Sequence, residues 1–527
     1  MTSTPWWQRA VLYQVYPRSF ADGDGDGVGD LAGLVSRLDH LTRLGVDAVW
    51  LSPIYPSPMA DFGYDVADHC DVDPLFGDLA DAEALIAAAH ARGLRVILDF
   101  VPNHTSDRHP WFLASRRSRT DPKRDWYVWA DPAPDGGPPN NWLSRFDVGP
   151  AWTYDEATGQ YYLHSFLPEQ PDLNWRHPGV REAMGDVLRF WLDRGVDGFR
   201  VDVAHRIAKD PRLRDNPPNP DWHEGMAASA RLLERRTRNW PELHDVLRGL
   251  RRVVDAYPDR VLIGEVNLDP AELMAFYGDG DELHLPLNFH TIVDLPWQAG
   301  VLADLVGSVE ALLPARAWPT WVLSNHDKPR FPTRLGQAHA RAGLVFLLTV
   351  RGTPVLYYGD ELALPDVDVP PEAAQDPWEL ANPGKGLGRD RSRTPMPWTG
   401  GPGAGFCPPD VAPWLPIGED HRQAHVAAQD ADPASPLALT RALLALRRRR
   451  PALATGDLEG LRADGGVLVY TRRAGADRVT VALNTGERPA VIDLGAGTVL
   501  LSSGLDRHGE TLDGPLPLAV GEAVVIG

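Results

Sequence analysis

Three acidic side chains each fall at the end of a short apolar segment. In GFRVDVAH, Arg200 and Asp202 are two residues apart, and on a β-strand such residues point to the same face. A guanidinium beside a carboxylate favours the ionised form that a nucleophile requires. Glu265 ends IGEVNL, where a glutamate among other carboxylates suits a general acid. His326 and Asp327 follow a later apolar segment, within VLSNHDKPR.

These residue types are the ones required for hydrolysis of a glycosidic bond with retention of the anomeric configuration. That reaction needs a nucleophilic carboxylate and an acid/base carboxyl about 5–5.5 Å apart. Asp202 and Glu265 end successive candidate strands and are the candidates for this pair. A single acid at a strand end is often only a helix cap or a salt-bridge partner. Three such acids, with an arginine and histidines beside them, are hard to assign to capping, so we predict a catalytic site.

The elements that would position these acids alternate along the chain. Apolar, β-branched segments alternate with amphipathic segments such as 31–44 and 80–91, which predicts βαβ units around a parallel sheet. Eight strands over most of the chain favour an α/β fold of the (β/α)₈ TIM-barrel type, in which catalytic groups lie at the C-terminal strand ends. The predicted strands are Val11–Tyr16, Asp47–Leu51, Arg95–Val101, Gly198–Val203, Val261–Val266, His284–Phe289, Thr320–Leu323 and Thr353–Tyr358.

Two regions interrupt the alternation. After Asn103 a stretch rich in Pro, Trp, Asp and Gly runs to about Asn174 and is too long for a plain loop. After about Pro451 short alternating strands follow one another, typical of an antiparallel β-domain. We therefore predict a barrel formed by residues 1–103 and 175–451, a small inserted domain at 104–174 after the third strand, and a C-terminal antiparallel β-sandwich domain at 452–527.

The segment DGDGDGVGD carries oxygen ligands at alternate positions, as calcium loops do. Its twelfth position is Gly33 rather than the glutamate of an EF-hand, and a solvated turn is the alternative. We predict a structural Ca²⁺ or Mg²⁺ site, remote from the acids and without a role in the chemistry. The predicted ligands are Asp22, Asp24, Asp26, the Val28 carbonyl and Asp30.

Composition narrows the function classes. The formal net charge of −20 argues against nucleic-acid or anionic-membrane partners. We find no apolar run of membrane-spanning length and no signal-peptide pattern. Two cysteines form no disulfide framework, so we expect a cytoplasmic protein, as a monomer or small homo-oligomer. No dinucleotide or Walker fingerprint is present, and no cofactor is expected for the chemistry.

As a set, nine motifs along nearly the whole chain resemble glycoside hydrolase family 13, the α-amylase family. They are AVLYQVYPRSF, DFGYD, DFVPNHTS, QPDLNW, GFRVDVAH, IGEVNL, SNHDKPR, TPVLYYGDE and RTPMPW. QPDLNW resembles the signature of the oligo-1,6-glucosidase group. The resemblance implies that Asp202 is the nucleophile, Glu265 the acid/base and Asp327 a transition-state stabiliser. It also implies that the terminal glucose is held by Asp61, Tyr64, His104, Phe166, Gln170, Arg200, His326 and Arg389.

The function that this resemblance implies is an exo-acting retaining α-glucosidase. It would remove terminal α-linked glucose from short oligosaccharides or α-glucosides through a glucosyl-enzyme on Asp202, with transglucosylation. A transglucosylase or an isomerase of the same group is the alternative. A catalytically inactive barrel that serves only for binding is a remote alternative. Linkage preference stays open, because Val203 resembles α-1,6-active members whereas His205 replaces the usual asparagine. The Pro-rich segment Asp210–Trp222 is expected to shape the acceptor side.

Overall fold

A computed structural model describes residues 4–289 and 295–527. Its largest sheet has eight parallel strands, and each overlaps one of the eight predicted strands. The predicted His284–Phe289 strand ends at the last residue of the first described range. Most strands are one or two residues shorter than predicted. In chain order they are β1 Leu12–Val15, β2 Ala48–Leu51, β3 Arg95–Phe100, β4 Gly198–Val201, β5 Val261–Val266, β6 Leu285–Asn288, β7 Thr320–Val322 and β8 Thr353–Tyr357.

The strands follow one another around a barrel. Ladder hydrogen bonds join them in the order β7-β8-β1-β2-β3-β4-β5-β6. Between β6 and β7 the closure depends on a side chain: the Thr320 hydroxyl donates to the Pro286 carbonyl (2.5 Å) and accepts from the Asn288 amide (3.3 Å). The predicted (β/α)₈ barrel is confirmed, with one seam closed by a threonine.

Seven long helices cover the outside of the barrel, and both helical segments singled out from the sequence are among them. Asp30 and Asp78 cap the first two through their side chains, which supplies partners to orphan amide groups at a helix start. After β5 the outer layer has only the short helix Pro270–Leu273. The seven are Leu31–Leu44, Leu79–Ala91, Pro178–Asp193, Leu243–Asp255, Ala299–Leu312, Gln337–Thr349 and Pro436–Arg449.

Apolar side chains fill two layers, inside the barrel and between strands and helices. Inside, Trp50 packs with aliphatic residues from the other strands, such as Ile97 and Ile263. The outer layer lies between the strands and the buried faces of the helices. Burial on both sides explains why the strands read as continuous apolar runs. None of the described helices has the length and apolar character needed to cross a bilayer.

Two further units flank the barrel. Between β3 and Pro178–Asp193 lie the helix Pro110–Arg117 and a three-stranded antiparallel sheet, Trp129–Ala130, Trp152–Asp155 and Gln160–Leu163. The C-terminal unit is antiparallel, as predicted, with a six-stranded sheet facing a two-stranded one across a shared apolar core. Its strands are Asp457–Asp464, Val467–Ala474, Asp477–Asn484, Ala490–Ile492, Gly497–Ser502, Thr511–Leu512, Leu516–Leu518 and Ala523–Ile526.

We predict that Thr320→Val destabilises the protein by about 1–3 kcal/mol, because the isosteric change leaves the buried Pro286 carbonyl without its donor. Denaturant unfolding measures the loss. Thr498→Val is the matched control, since Thr498 is an exposed strand residue and its substitution should have little effect. Equal stability of the two variants would contradict a closing role for Thr320.

Candidate active site

One buried guanidinium lies at the centre of the acidic cluster. Arg200 on β4 forms ion pairs with Asp99 (2.9 Å), with Asp202 (2.7 Å) and, through its other terminal nitrogen, with Glu265 (2.6 Å). Asp99 is the ladder partner of Arg200, and Glu265 is on the next strand, β5. The shared guanidinium holds the Asp202 and Glu265 carboxylates side by side at the C-terminal end of the barrel.

The turn after β4 fixes the geometry of this pair. Val203 adopts φ 37° and ψ 46°, a left-handed conformation that is costly for a β-branched residue. In this conformation its amide donates to the Glu265 carboxylate (3.1 Å). The strained backbone thus lies directly after Asp202 and links it to Glu265.

Burial and mutual repulsion change the acidity of these groups. Burial raises the pKa of Asp202 well above its usual range, Arg200 opposes the shift, and the charges of Glu265 and Asp99 add to it. Burial likewise raises the pKa of Asp99 to about 6 against the opposing effect of Arg200. Burial raises the pKa of Asp202 more than Arg200 lowers it, although Arg200 acts in the direction that their spacing predicts.

Asp327 has a different environment. Burial opposes its ionisation, yet His326 and three arginines, Arg389 and Arg393 foremost, hold the pKa of Asp327 well below its usual range. The two arginines contact its carboxylate at 3.2 and 3.1 Å. Burial lowers the pKa of His326 to about 3, so the imidazole is neutral near pH 7.

Arg389 joins parts of the site that are far apart in sequence. Its guanidinium contacts Asp61 (2.8 Å), Asp327 (3.2 Å) and Asp376 (2.6 Å) and lies over the ring of Phe146 at 4.9 Å. Three nitrogens of Arg389 donate to the Asp376 carboxylate, one of them the backbone amide at 2.6 Å. This arrangement fixes the arginine across one side of the cavity.

A second set of polar groups surrounds His104. Gln170 donates to Asp61 (3.2 Å) and contacts His104 (3.1 Å). The ring of Phe166 meets that of His104 edge to face at 5.2 Å. Tyr64 lies between the two halves of the site, because its hydroxyl contacts Asp99 (2.8 Å) and His326 (2.7 Å).

A cavity of about 480 Å³ opens over these groups. Nine of the eleven predicted catalytic and sugar-binding residues line it, and Gln170 and Arg200 support it from behind. The nine are Asp61, Tyr64, His104, Phe166, Asp202, Glu265, His326, Asp327 and Arg389. The size suits a small sugar, and the floor offers both oxygen acceptors and arginine donors.

The opposite side of the cavity is formed by the segment between β4 and its helix. Glu234 forms a two-contact ion pair with Arg206 (2.9 and 2.8 Å) and lies 3.6 Å from Arg145 of the inserted unit. Leu232 and Leu233 add apolar surface. Asn219 from the predicted Pro-rich segment also lines the cavity, so that segment reaches the cavity.

Three of the five predicted metal ligands gather in the loop before Leu31. Oxygens of Asp22, Asp24 and Asp30 lie within 4.8 Å of one another. Asp26 is outside this group and instead accepts from the Val28 amide (2.7 Å). Asp30 also caps the following helix. A compact set of carboxylate oxygens fits a hard cation such as Ca²⁺.

The sequence analysis did not single out three residues that hold the acidic and arginine side chains of the site in place. Asp99 is an acid inside the apolar segment RVILDF, a signal that points to a buried partner. Asp376 and Arg393 hold Arg389 and Asp327 from loops, where sequence spacing carries no geometric information. Only the first of these could have been found without the structure.

Comparisons with known proteins agree with this geometry. The family model described as alpha amylase, catalytic domain, matches residues 14–456. A probable alpha-glucosidase of Rhizobium meliloti (strain 1021) is 44% identical over 508 residues, covering 93% of this chain and 91% of the relative. An oligo-1,6-glucosidase of Parageobacillus thermoglucosidasius is 36% identical, covering 93% and 92%.

Solved structures show the same similarity over the whole chain. The alpha-glucosyl transfer enzyme XgtA superposes with a TM-score of 0.94 at 42% identity, with 99% of each chain covered. The trehalulose synthase MutB from Pseudomonas mesoacidophila MX-45 gives 0.91 at 33% identity, with 99% of each covered. With its barrel, its acidic cluster and these relatives, the chain belongs to the α-amylase family of glycoside hydrolases.

Proposed function

We propose that this protein is an exo-acting retaining α-glucosidase that removes terminal α-linked glucose from short oligosaccharides or α-glucosides. The observation that carries the proposal is the pairing of Asp202 and Glu265 on one guanidinium, at the floor of a cavity crossed by Arg389. The two carboxylates contact the same guanidinium, and a retaining mechanism requires two carboxyl groups that lie close together.

In the first step, an oxygen of Asp202 attacks the anomeric carbon of the terminal glucose. The glycosidic bond breaks as Glu265 gives its proton to the departing oxygen, and a β-linked glucosyl ester forms on Asp202. Asp327, held ionised by Arg389 and Arg393, binds sugar hydroxyls and stabilises the positive charge that develops on the ring.

In the second step, Glu265 removes a proton from water, whose oxygen attacks the anomeric carbon from the side the aglycone left. The ester bond breaks, α-glucose departs and Asp202 returns as a carboxylate. A sugar hydroxyl in place of water gives transglucosylation by the same route. The close similarity to an alpha-glucosyl transfer enzyme supports such transfer as a second activity.

Terminal selectivity follows from the Asp61–Arg389 pair. Both side chains are buried and joined at 2.8 Å, and Gln170 holds Asp61 from the inserted unit. We infer that this pair closes the pocket behind the terminal glucose, together with Tyr64 and His104. A chain that continued beyond that glucose would have to break the ion pair.

We also propose a structural Ca²⁺ (or Mg²⁺) on the loop before Leu31. Asp22, Asp24 and Asp30 supply the closest oxygens, and the predicted set adds Asp26 and the Val28 carbonyl. The ion would tie the loop to a helix start and takes no part in the chemistry.

For the whole protein we propose a cytoplasmic monomer or small homo-oligomer, in keeping with its acidity and two free cysteines.

Time-resolved NMR of the released glucose tests the mechanism. We expect α-glucose to appear first from maltose, isomaltose, sucrose or trehalose, since two displacements preserve the anomeric configuration. The sugar consumed fastest identifies the preferred linkage. Initial β-glucose from sucrose, whose only glucose is the unit that is cleaved, would mean inversion and would remove the nucleophile role from Asp202. In the same assay Asp202→Asn should reduce turnover at least about 10³-fold while leaving the unfolding midpoint near that of the wild type.

The pH profile tests the electrostatics. Because burial raises the pKa of Asp202, its carboxylate is lost as pH falls through a value above the ordinary aspartate pKa of about 3.9. We expect kcat/KM for an aryl α-glucoside to fall on the acid side with an apparent midpoint above about 4, a property of the coupled cluster. Activity regained on return to neutral pH excludes unfolding. A value of kcat/KM that stays constant down to pH 4 would contradict the raised pKa of Asp202.

Removal of bound metal by a chelator tests the proposed Ca²⁺ site on the loop before Leu31. Ca²⁺ relieves the repulsion among Asp22, Asp24 and Asp30, so a chelator should lower Tm and added Ca²⁺ should restore it. Asp24→Asn should lose this response. Asp464→Asn, which changes an exposed carboxylate of the C-terminal unit, should keep it. A Tm that ignores both chelator and Ca²⁺ would contradict the proposed site.

A further inference from the structure

The base of the barrel, at the N-terminal ends of the strands, contains a cavity that the proposed function does not use. Its volume is about 310 Å³. It lies among the start of β3, the segment before β1 and the end of the helix Pro436–Arg449. Its charged lining is four arginines and one carboxylate, namely Arg9, Arg95, Arg447, Arg448 and Asp47.

The lining of this cavity is positively charged, whereas the whole protein has a formal net charge of −20. The one lining carboxylate is already engaged, since Asp47 accepts from Arg448 (3.1 Å) and from the Val11 amide (2.8 Å). Arg95 pairs with Asp197 outside the lining (3.0 Å) and lies over the Trp6 ring at 4.5 Å.

The other two arginines have no carboxylate partner within ion-pair distance in the described chain. Arg447 is fully buried and donates to backbone carbonyls, those of Gly352 (2.7 Å) and Leu453 (2.9 Å) most closely. Its Nε has no hydrogen-bond partner among described groups. Burial lowers the pKa of Arg447 to about 10, so it stays charged at neutral pH. Arg9 is exposed at the cavity edge.

We propose that this cavity binds a small molecule through a phosphate group. Guanidinium groups are the side chains best matched to phosphate oxygens, which accept paired N–H donors. An anion here would supply the counter-charge that Arg9 and Arg447 lack, and a buried cation without one is costly. Trp6, Leu444 and Ala454 leave apolar wall beside the arginines, which suits the organic part of a phosphorylated metabolite.

Direct binding measurements test the site with two probes, inorganic phosphate and glycerol 3-phosphate, at an ionic strength held constant with NaCl. Isothermal titration should give saturable binding of one phosphate group per chain, and Tm should rise with it. Tighter binding of glycerol 3-phosphate identifies an organic phosphate as the ligand, and equal affinities identify free phosphate. No saturable binding of either probe would overturn the proposal.

Charge variants separate this site from unspecific attraction. The double variant Arg9→Ala/Arg448→Ala should weaken phosphate binding at least tenfold. Arg462→Ala, which removes an exposed arginine of the C-terminal unit, should leave it unchanged. Asp47→Asn should strengthen binding, because it removes the one negative charge of the lining. Equal affinities in the double variant and Arg462→Ala, or weaker binding by Asp47→Asn, would overturn the proposal.

Discussion

The buried Arg200 guanidinium is the constraint on which the rest of the active site depends. Three carboxylates, on or directly after three adjacent strands, meet this one cation. Burying them without it would cost far more than the fold could supply. The pairing of Asp99 with Arg200 across β3 and β4 therefore has two effects. It aligns the strands where the chemistry takes place, and it sets the separation of Asp202 and Glu265.

Around that centre, loops provide the side chains that form the walls of the cavity. Arg389 comes from after β8, Asp61 from after β2 and Gln170 from the inserted unit, yet they form one chain of contacts. A strand end can present a side chain only above its own position, so a wall that encloses a sugar has to come from longer connections. The same division applies to the cavity as a whole: acids at the strand ends form its floor, and loops such as the one carrying Glu234 form its walls.

The parts that sequence could predict are those governed by local physics. Strands buried on both faces read as apolar runs, so all eight were found within a residue or two. The strand Asp457–Asp464 carries no such signal, because it is polar and largely exposed on both faces, which removes the alternation that marks a strand. Asp376 was missed for another reason: its role is a contact with Arg389 made by folding, and no spacing encodes it. Within the aspartate-rich loop before Leu31, spacing alone could not separate Asp26 from the three gathered carboxylates.

The raised pKa of Asp202 and its role as nucleophile are compatible once the cluster is treated as a whole. Asp327 has its own cations and stays ionised, whereas Asp99, Asp202 and Glu265 share Arg200. Burial raises the pKa of Asp202 and that of Asp99, and interacting carboxylates titrate together rather than one by one. A retaining mechanism needs one carboxylate and one carboxylic acid at the start. In the proposed mechanism Asp202 is that carboxylate and Glu265 is that acid, and both side chains contact the guanidinium of Arg200.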